Sequence, residues 1–377
     1  MASNLYIGVD GKAERVKKIY VGVSGVAEKV KKAYMGVGGT ARLIFSSGLS
    51  YYGTLTNMDS ARSEMGAAVT GDYALFAGGA YGNGSNISGS VTTYNRSLTK
   101  GTATNMTDTR ARCASGTIGD YAVFYGGYSA TDSYLGSGEA YNTSLTKTLF
   151  GGGMDAVARQ NIGAANVGNY IIFAGGDSDS YATLQNVVEA FDSSLTLSTP
   201  TALSTATTQL TGASVGDYAL FAGGSDGSGF VSTVTAYNTS LTKSSATALS
   251  GERVSMCGFS IGSYAAFAGG RAGASGSTTT DVVEKYNTSL TKSSGDSLTT
   301  ARYAAAVTVL NGNVIIAGGY SNIASVEVYD EYLNKDTTTA LAGGRYNHAA
   351  LTIGDYAIFA GGINSSTYLN TAEAYSA

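Results

Sequence analysis

Arginine recurs sixteen residues before a double glycine, as Arg62, Arg110, Arg159, Arg253, Arg302 and Arg345, with Thr207 in that place once. Six guanidinium groups in one phase of a repeat have two uses. They form a ring of cations at a channel mouth that grips carboxylates or hydroxyls, or they tie neighbouring repeats together through carbonyl groups. A second set of polar and aromatic side chains lies in the segments that follow each double glycine: Tyr81, Asn83, Asn86, Tyr128, Tyr134, Asp177, Asp179, Tyr181, Asp226, Phe230, Arg271, Tyr320, Asn322, Asn364 and Tyr368. Tyrosine mixed with Ser, Gly and Asn joins rigid aromatic area to adaptable hydrogen bonding, the chemistry of a binding surface. These are the candidate ligand-binding residues.

Catalytic and metal chemistry finds little material. With one histidine, His348, and two separated cysteines, Cys113 and Cys257, no His/Cys metal site forms and nucleophilic triads lack a base. The cysteines fall in corresponding strands of different repeats, so buried free thiols are expected instead of a disulfide. Asp177-Ser178-Asp179 is a weak Ca²⁺ candidate and reads better as a polar loop. A carboxylate pair for glycoside hydrolysis stays open, because its spacing across repeats is unreadable. Asn142-Thr143-Ser144, Asn238-Thr239-Ser240 and Asn287-Thr288-Ser289 match glycosylation sequons but sit where turns are expected. No cofactor and no metal are expected.

The elements that must position these residues follow from the repeat itself. Gly71-Asp72-Tyr73-Ala74-Leu75-Phe76-Ala77-Gly78-Gly79 recurs with small changes, its double glycine returning at 126, 175, 223, 269, 318 and 361. Seven copies spaced 43 to 49 residues apart give the period of a propeller blade. Each copy holds four strand-like pieces, illustrated by residues 65–69, 73–77, 91–94 and 100–105. This order resembles the kelch family of β-propellers, whose blades share the double glycine, the upstream arginine and an aromatic in the third strand. The family's fourth-strand tryptophan is missing, since the chain has none, and Leu203, Leu249, Leu298 and Leu341 are expected to fill its space. The resemblance implies an all-β, seven-bladed propeller over residues 47–377. The stretch from Tyr51 to Met58 reads as an orphan fourth strand, expected to complete the last blade and close the ring.

Residues 1–46 carry a different repeat, with a period of 14, in which Tyr6, Tyr20 and Tyr34 correspond. Asp10-Gly11, Ser24-Gly25 and Gly38-Gly39 mark three hairpin turns between short strands. So small a unit buries little apolar surface alone and offers strand edges, the character of a docking module and a candidate homo-oligomer interface. Ile19-Tyr20-Val21-Gly22-Val23 and Val30-Lys31-Lys32-Ala33-Tyr34 resemble repeats that open tail-associated proteins of phages and prophages of Gram-positive gut bacteria.

The 377 residues include 52 glycines, and only 13% are charged, with a net charge of −4. A surface of Ser, Thr, Asn and Tyr suits neutral polar ligands and argues against nucleic acid. No signal peptide and no membrane-spanning stretch is read, so a virion or phage-like particle is the expected setting. The turns joining first to second and third to fourth strands are nearly uniform. The loops at the other end (80–90, 128–138, 177–185, 225–232, 271–280, 320–324 and 363–369) all differ, which places recognition there. The leading expectation is a non-enzymatic receptor-binding protein for a cell-surface glycan, with residues 1–46 docking onto other virion or tail proteins. A glycan-cleaving enzyme using Asp/Glu on the same face and a protein–protein scaffold are the alternatives.

Overall fold

In a computed structural model the chain is all-β, with no helix among the described residues. These are residues 49–82, 84, 86–131, 133–152, 156–178, 183–273 and 276–376, together with the backbone of six strands before residue 47. Those six strands pair in order as three antiparallel hairpins: Tyr6–Val9 with Lys12–Arg15, Tyr20–Val23 with Val26–Lys29, and Lys32–Val37 with Thr40–Ser46.

The remainder forms seven four-stranded antiparallel sheets in up-and-down order, six of them each drawn from one repeat. Sheet one is Gly66–Thr70, Tyr73–Ala77, Val91–Asn95 and Lys100–Thr102. The first strands of sheets two to seven are Ala114–Ile118, Gly163–Val167, Thr211–Val215, Cys257–Ile261, Ala306–Leu310 and Ala349–Ile353. In the seventh sheet the fourth strand is Ser50–Thr54, which pairs with Ala372–Ser376 through a register shift at Ala374/Tyr375. Ser50 lies opposite Ser376, which in turn faces Tyr356 at the start of the second strand. The chain therefore enters this sheet at the end that carries the uniform turns.

Second strands are buried on both faces after their opening residue, so they read as apolar runs instead of alternating. Each apolar cluster spans two neighbouring sheets. Leu75 and Phe124 share one, Ile172 and Phe221 another, and Phe76 packs with Leu351 and Ile358 between the first sheet and the seventh. No tryptophan is needed. Leu203, Leu249, Leu298 and Leu341 are buried as expected, and Met58 and Met106 hold the matching places after the fourth strands of sheets seven and one. Third-strand tyrosines complete the joint, their hydroxyls donating to carbonyls six residues before the arginine position of their own repeat: Tyr94 to Thr56, Tyr237 to Thr201 and Tyr375 to Thr339 at 2.6, 2.7 and 2.9 Å. Burial pushes the Tyr94 hydroxyl up to about 12.

The double glycine has a steric cause. The second glycine's N–H donates to the carbonyl of the next repeat's arginine position, as in Gly79 to Arg110 at 2.8 Å and Gly362 to Arg62 at 2.9 Å. A Cβ on the first glycine of the pair would meet that same carbonyl, at 2.2 Å for Gly78 and 2.5 Å for Gly361, and both glycines have positive φ. No other residue fits such an approach.

The uniform turns are equally determined. The Asn95 side-chain oxygen accepts from the N–H groups of Ser97 and Thr99, both at 2.9 Å, and Asn142, Asp192, Asn238, Asn287 and Asp330 repeat the cap. The cap holds the leucine between them in the left-handed region, with φ near 60° at Leu98, Leu145 and Leu241. The three sequon asparagines are spent on these turns.

Candidate functional site

The arginines lie deep in the sheets. Arg62, Arg110, Arg159, Arg253, Arg302 and Arg345 are buried. Arg110 donates through Nη1 to the carbonyls of Gly126 and Ser137, both at 3.0 Å, and through Nη2 to Glu139 at 3.0 Å. Arg253 pairs with Glu284 at 2.5 Å and Arg302 with Glu327 at 2.7 Å; Arg159 with Glu189 and Arg345 with Glu373 repeat the arrangement. The exposed ring of channel-mouth cations expected for these six is thus corrected. Each guanidinium clamps the second and third strands of its own sheet and has no edge for a ligand. It is the backbone of each arginine that serves the neighbouring repeat, its carbonyl accepting from the second glycine and its N–H donating to a loop carbonyl, as Arg110 does to Ser88 at 3.2 Å. The matching glutamates escaped the sequence reading. They stand two residues before the third-strand aromatic, in Glu139-Ala140-Tyr141 and again before Phe191, Tyr286, Tyr329 and Tyr375.

The mouth is built two residues further on. Glu64, Arg112, Asn161, Gln209, Ser255, Ala304 and Asn347 follow the arginine position by two, and all seven have φ between 51° and 56°. Backbone N–H groups link six of these steps: Glu64 to Asn347, Arg112 to Glu64, Asn161 to Arg112, Gln209 to Asn161, Ala304 to Ser255 and Asn347 to Ala304, at 3.0 to 3.3 Å. A left-handed backbone at non-glycine residues is costly, and here the chain of hydrogen bonds fixes it. Their side chains rim a cavity of about 440 Å³. Its charges are the Glu64–Arg112 pair at 2.9 Å and Arg271, and its other polar groups are amides and hydroxyls.

One flank of the cavity is a row of rings. Tyr303 stacks on Tyr320 at 4.9 Å, Tyr320 meets Tyr346 edge-on at 5.2 Å, and the Arg271 guanidinium lies 5.5 Å from the Tyr303 ring and 6.0 Å from Phe230. Tyr303 therefore has both faces covered. Arg271 donates to the Gly276 carbonyl at 3.2 and 3.3 Å and forms no ion pair among the described residues, whereas Arg96, Arg112 and five of the buried arginines each have a carboxylate. A guanidinium flanked by aromatic rings presents its in-plane edge, the edge that binds carboxylates and vicinal oxygens in a bidentate manner. Across the mouth, Tyr128 and Tyr134 approach to 5.7 Å beside a smaller cavity of about 190 Å³ that shares Glu64 and Arg112. Tyr368 titrates upward through burial and the nearby Glu64 charge, which places it at the same spot.

The candidate loop residues divide accordingly. Tyr128, Tyr134, Phe230, Arg271, Tyr320 and Tyr368 gather around the two cavities. Asn322 reaches the next loop, accepting from the Ser365 N–H at 2.6 Å. Tyr81, 42% exposed, faces Asn86 across a two-residue hairpin. Asn364 turns inward to the Gly344 carbonyl at 2.7 Å. Asp226 caps its own loop, accepting from Ser228 and Gly229, and those hydrogen bonds hold its carboxyl below the usual range. Asp177 is corrected from a ligand-facing residue to a buried one: Gln160, Asn161 and Thr208 donate to it at 3.0, 2.8 and 2.5 Å. Asn83, Asp179 and Tyr181 lie outside the described residues, and with Asp179 goes part of the weak Ca²⁺ candidate. No cluster of three metal-ligating side chains occurs among the described residues.

The sequence reading missed Glu64, Arg112, Asn161, Gln209, Asn347, Tyr303 and Tyr346. They share a fixed phase, one or two places after the arginine position, but their residue types differ from repeat to repeat. No protein-family model matches the chain, and no curated protein matches it.

Proposed function

We propose that residues 47–377 form a seven-bladed kelch-type β-propeller, closed by the strand Ser50–Thr54, that binds a cell-surface glycan without cleaving it. On this reading the protein is a phage or phage-like tail receptor-binding protein. Residues 1–46 dock it to other tail or virion proteins and offer the surface for self-association. The pairing of Ser50–Thr54 with the last strand and the apolar cluster shared by sheets one and seven support the closed ring.

The single observation that carries the binding role is the mouth cavity: a fixed backbone ring with varied side chains, mostly neutral, beside an arginine that has no carboxylate among the described residues. The amides and hydroxyls of the rim are neutral polar groups of the kind that sugar hydroxyls match, and Arg271 supplies a bidentate edge. Ring area comes from Tyr81 and Tyr320, 42% and 48% exposed, and not from Tyr303. Tail attachment through residues 1–46 would add multivalent avidity.

Cleavage is the weaker reading, because the carboxylates near the mouth are already engaged, Asp177 by three donors and Glu64 by Arg112. A glycan array coupled to a reducing-end assay separates the readings. Retention without new reducing ends is expected, whereas turnover would replace binding with hydrolysis. No retention on any glycan would reject the proposal and favour a protein partner.

A further inference from the structure

The fourth sheet lacks both members of the buried pair: Thr207 stands in the arginine place and Thr235 in the glutamate place. The space is not refilled. A cavity of about 210 Å³ lies there, bordered by Thr207, Phe221, Gly223, Thr233 and Thr235, and it reaches the exposed Ser204 and Ser245.

Sheet one shows what such a site holds. Arg62 is buried there opposite Thr92, with no glutamate in the third strand. Its Nη1 donates to the carbonyls of Gly78 and Ser90 at 3.1 and 2.5 Å and to the Ser90 hydroxyl, and its Nη2 to the Phe76 carbonyl and Thr92 Oγ1 at 3.2 and 2.9 Å. Counted from the double glycines and along the third strands, Phe76, Gly78, Ser90 and Thr92 become Phe221, Gly223, Thr233 and Thr235. The four residues that satisfy Arg62, hydroxyls included, thus have counterparts around an open cavity. Its apolar walls, Leu203 and Val234, are suited to a short methylene stem.

We infer that the fourth sheet carries an open guanidinium site, which takes an alkylguanidinium group such as an arginine side chain from outside this chain. Carbonyl oxygens and two hydroxyls receive the cation as they receive Arg62, and the opening at Ser204 and Ser245 admits it. The site stands on the sheet geometry and is independent of the glycan reading.

The test titrates the full chain with n-propylguanidinium, which reproduces the arginine side chain, against n-propylurea, which has nearly its shape without the charge. Saturable one-to-one binding of the cation is expected, with a saturable rise in melting temperature. Thr207→Arg fills the cavity from within and should abolish both. Thr235→Glu restores the anion and should tighten binding about tenfold, a charge-assisted bond replacing a neutral one. Absence of saturable binding, equal binding of the urea, or wild-type binding by Thr207→Arg would overturn the inference. Should Thr207→Arg fail to fold, Thr235→Glu decides, and an unchanged affinity there rejects the site.

Discussion

The two ends of the seven sheets solve opposite problems with the same device, a non-glycine residue held at positive φ. At the uniform end the residue is leucine in six turns, and the asparagine or aspartate cap before it is as fixed as the backbone. At the mouth the backbone is just as fixed, φ staying within 51° to 56°, yet the residue is Glu, Arg, Asn, Gln, Ser, Ala or Asn. A turn that serves only folding needs its side chains as well as its dihedrals. A position whose dihedrals are held by its neighbours' hydrogen bonds leaves its side chain free for another purpose. Stability should therefore reside between the strands and in the uniform turns, and recognition at the mouth.

The strongest way to break this contrast is to unpair a buried guanidinium. Glu284→Ala strands Arg253 without its anion and is expected to cost about 3–5 kcal/mol in denaturant unfolding. The double change Arg253→Thr with Glu284→Thr, the combination the fourth sheet already carries, should cost far less than the sum of the single changes. Additive losses would mean the pair is not a unit.

His348 gives the next effect through pH. It is buried against Phe359, both ring nitrogens lack a hydrogen-bond partner among the described residues, and burial followed by the Arg345 charge pulls it down to about 3. Because the folded value lies below the unfolded one, stability is complete above about pH 6.5 and falls as acid protonates the unfolded chain first. The slope is about 1.4 kcal/mol per pH unit, or roughly 4 kcal/mol by pH 3.5. His348→Met, borrowing the residue found at the same place in Met65 and Met256, should flatten the slope between pH 6 and 5. It should also add about 1–3 kcal/mol at neutral pH by removing the unsatisfied nitrogens. A slope unchanged in the variant would clear His348 of the role.

A uniform turn comes third. Asn238→Ala removes two hydrogen bonds to Ser240 and Thr242 and should cost about 1–2 kcal/mol, with glycan retention of the folded fraction unaltered. At the mouth, Arg271→Gln should shift stability by no more than about 0.5 kcal/mol and weaken glycan binding about tenfold or more. A mouth variant that unfolds the protein, or a turn variant that abolishes binding, would erase the distinction.

Much of the scaffold was legible because it repeats. The Asn-Thr-Ser-Leu-Thr turn follows from short-range capping, whereas the double glycine and the strand beginning near Tyr51 showed as a recurring phrase and an orphan fourth piece, although their partners, such as Arg110 and Ala372–Ser376, are distant. What stayed hidden depends on partners distant in sequence. The arginines look alike whether they face a ligand or a glutamate 25 to 31 residues away, as Arg302 with Glu327 and Arg253 with Glu284 show. Asp177 looked like a ligand group because its donors, Gln160, Asn161 and Thr208, come from the two crossings that flank its sheet. The mouth ring was missed since Glu64 or Gln209 carries no mark of a left-handed backbone; only the ring of neighbours imposes it.

The claim that the two ends divide the labour is tested most directly by placing two multiple variants on one glycan array. The first joins Arg271→Gln, Tyr320→Ala and Asn347→Ala at the mouth; the second joins Asn142→Ala, Asn238→Ala and Asn287→Ala at the turns. The account predicts that the turn variant melts earlier but keeps the wild-type glycan profile, while the mouth variant melts like wild type and loses it. A mouth variant with its glycan profile intact would contradict the account.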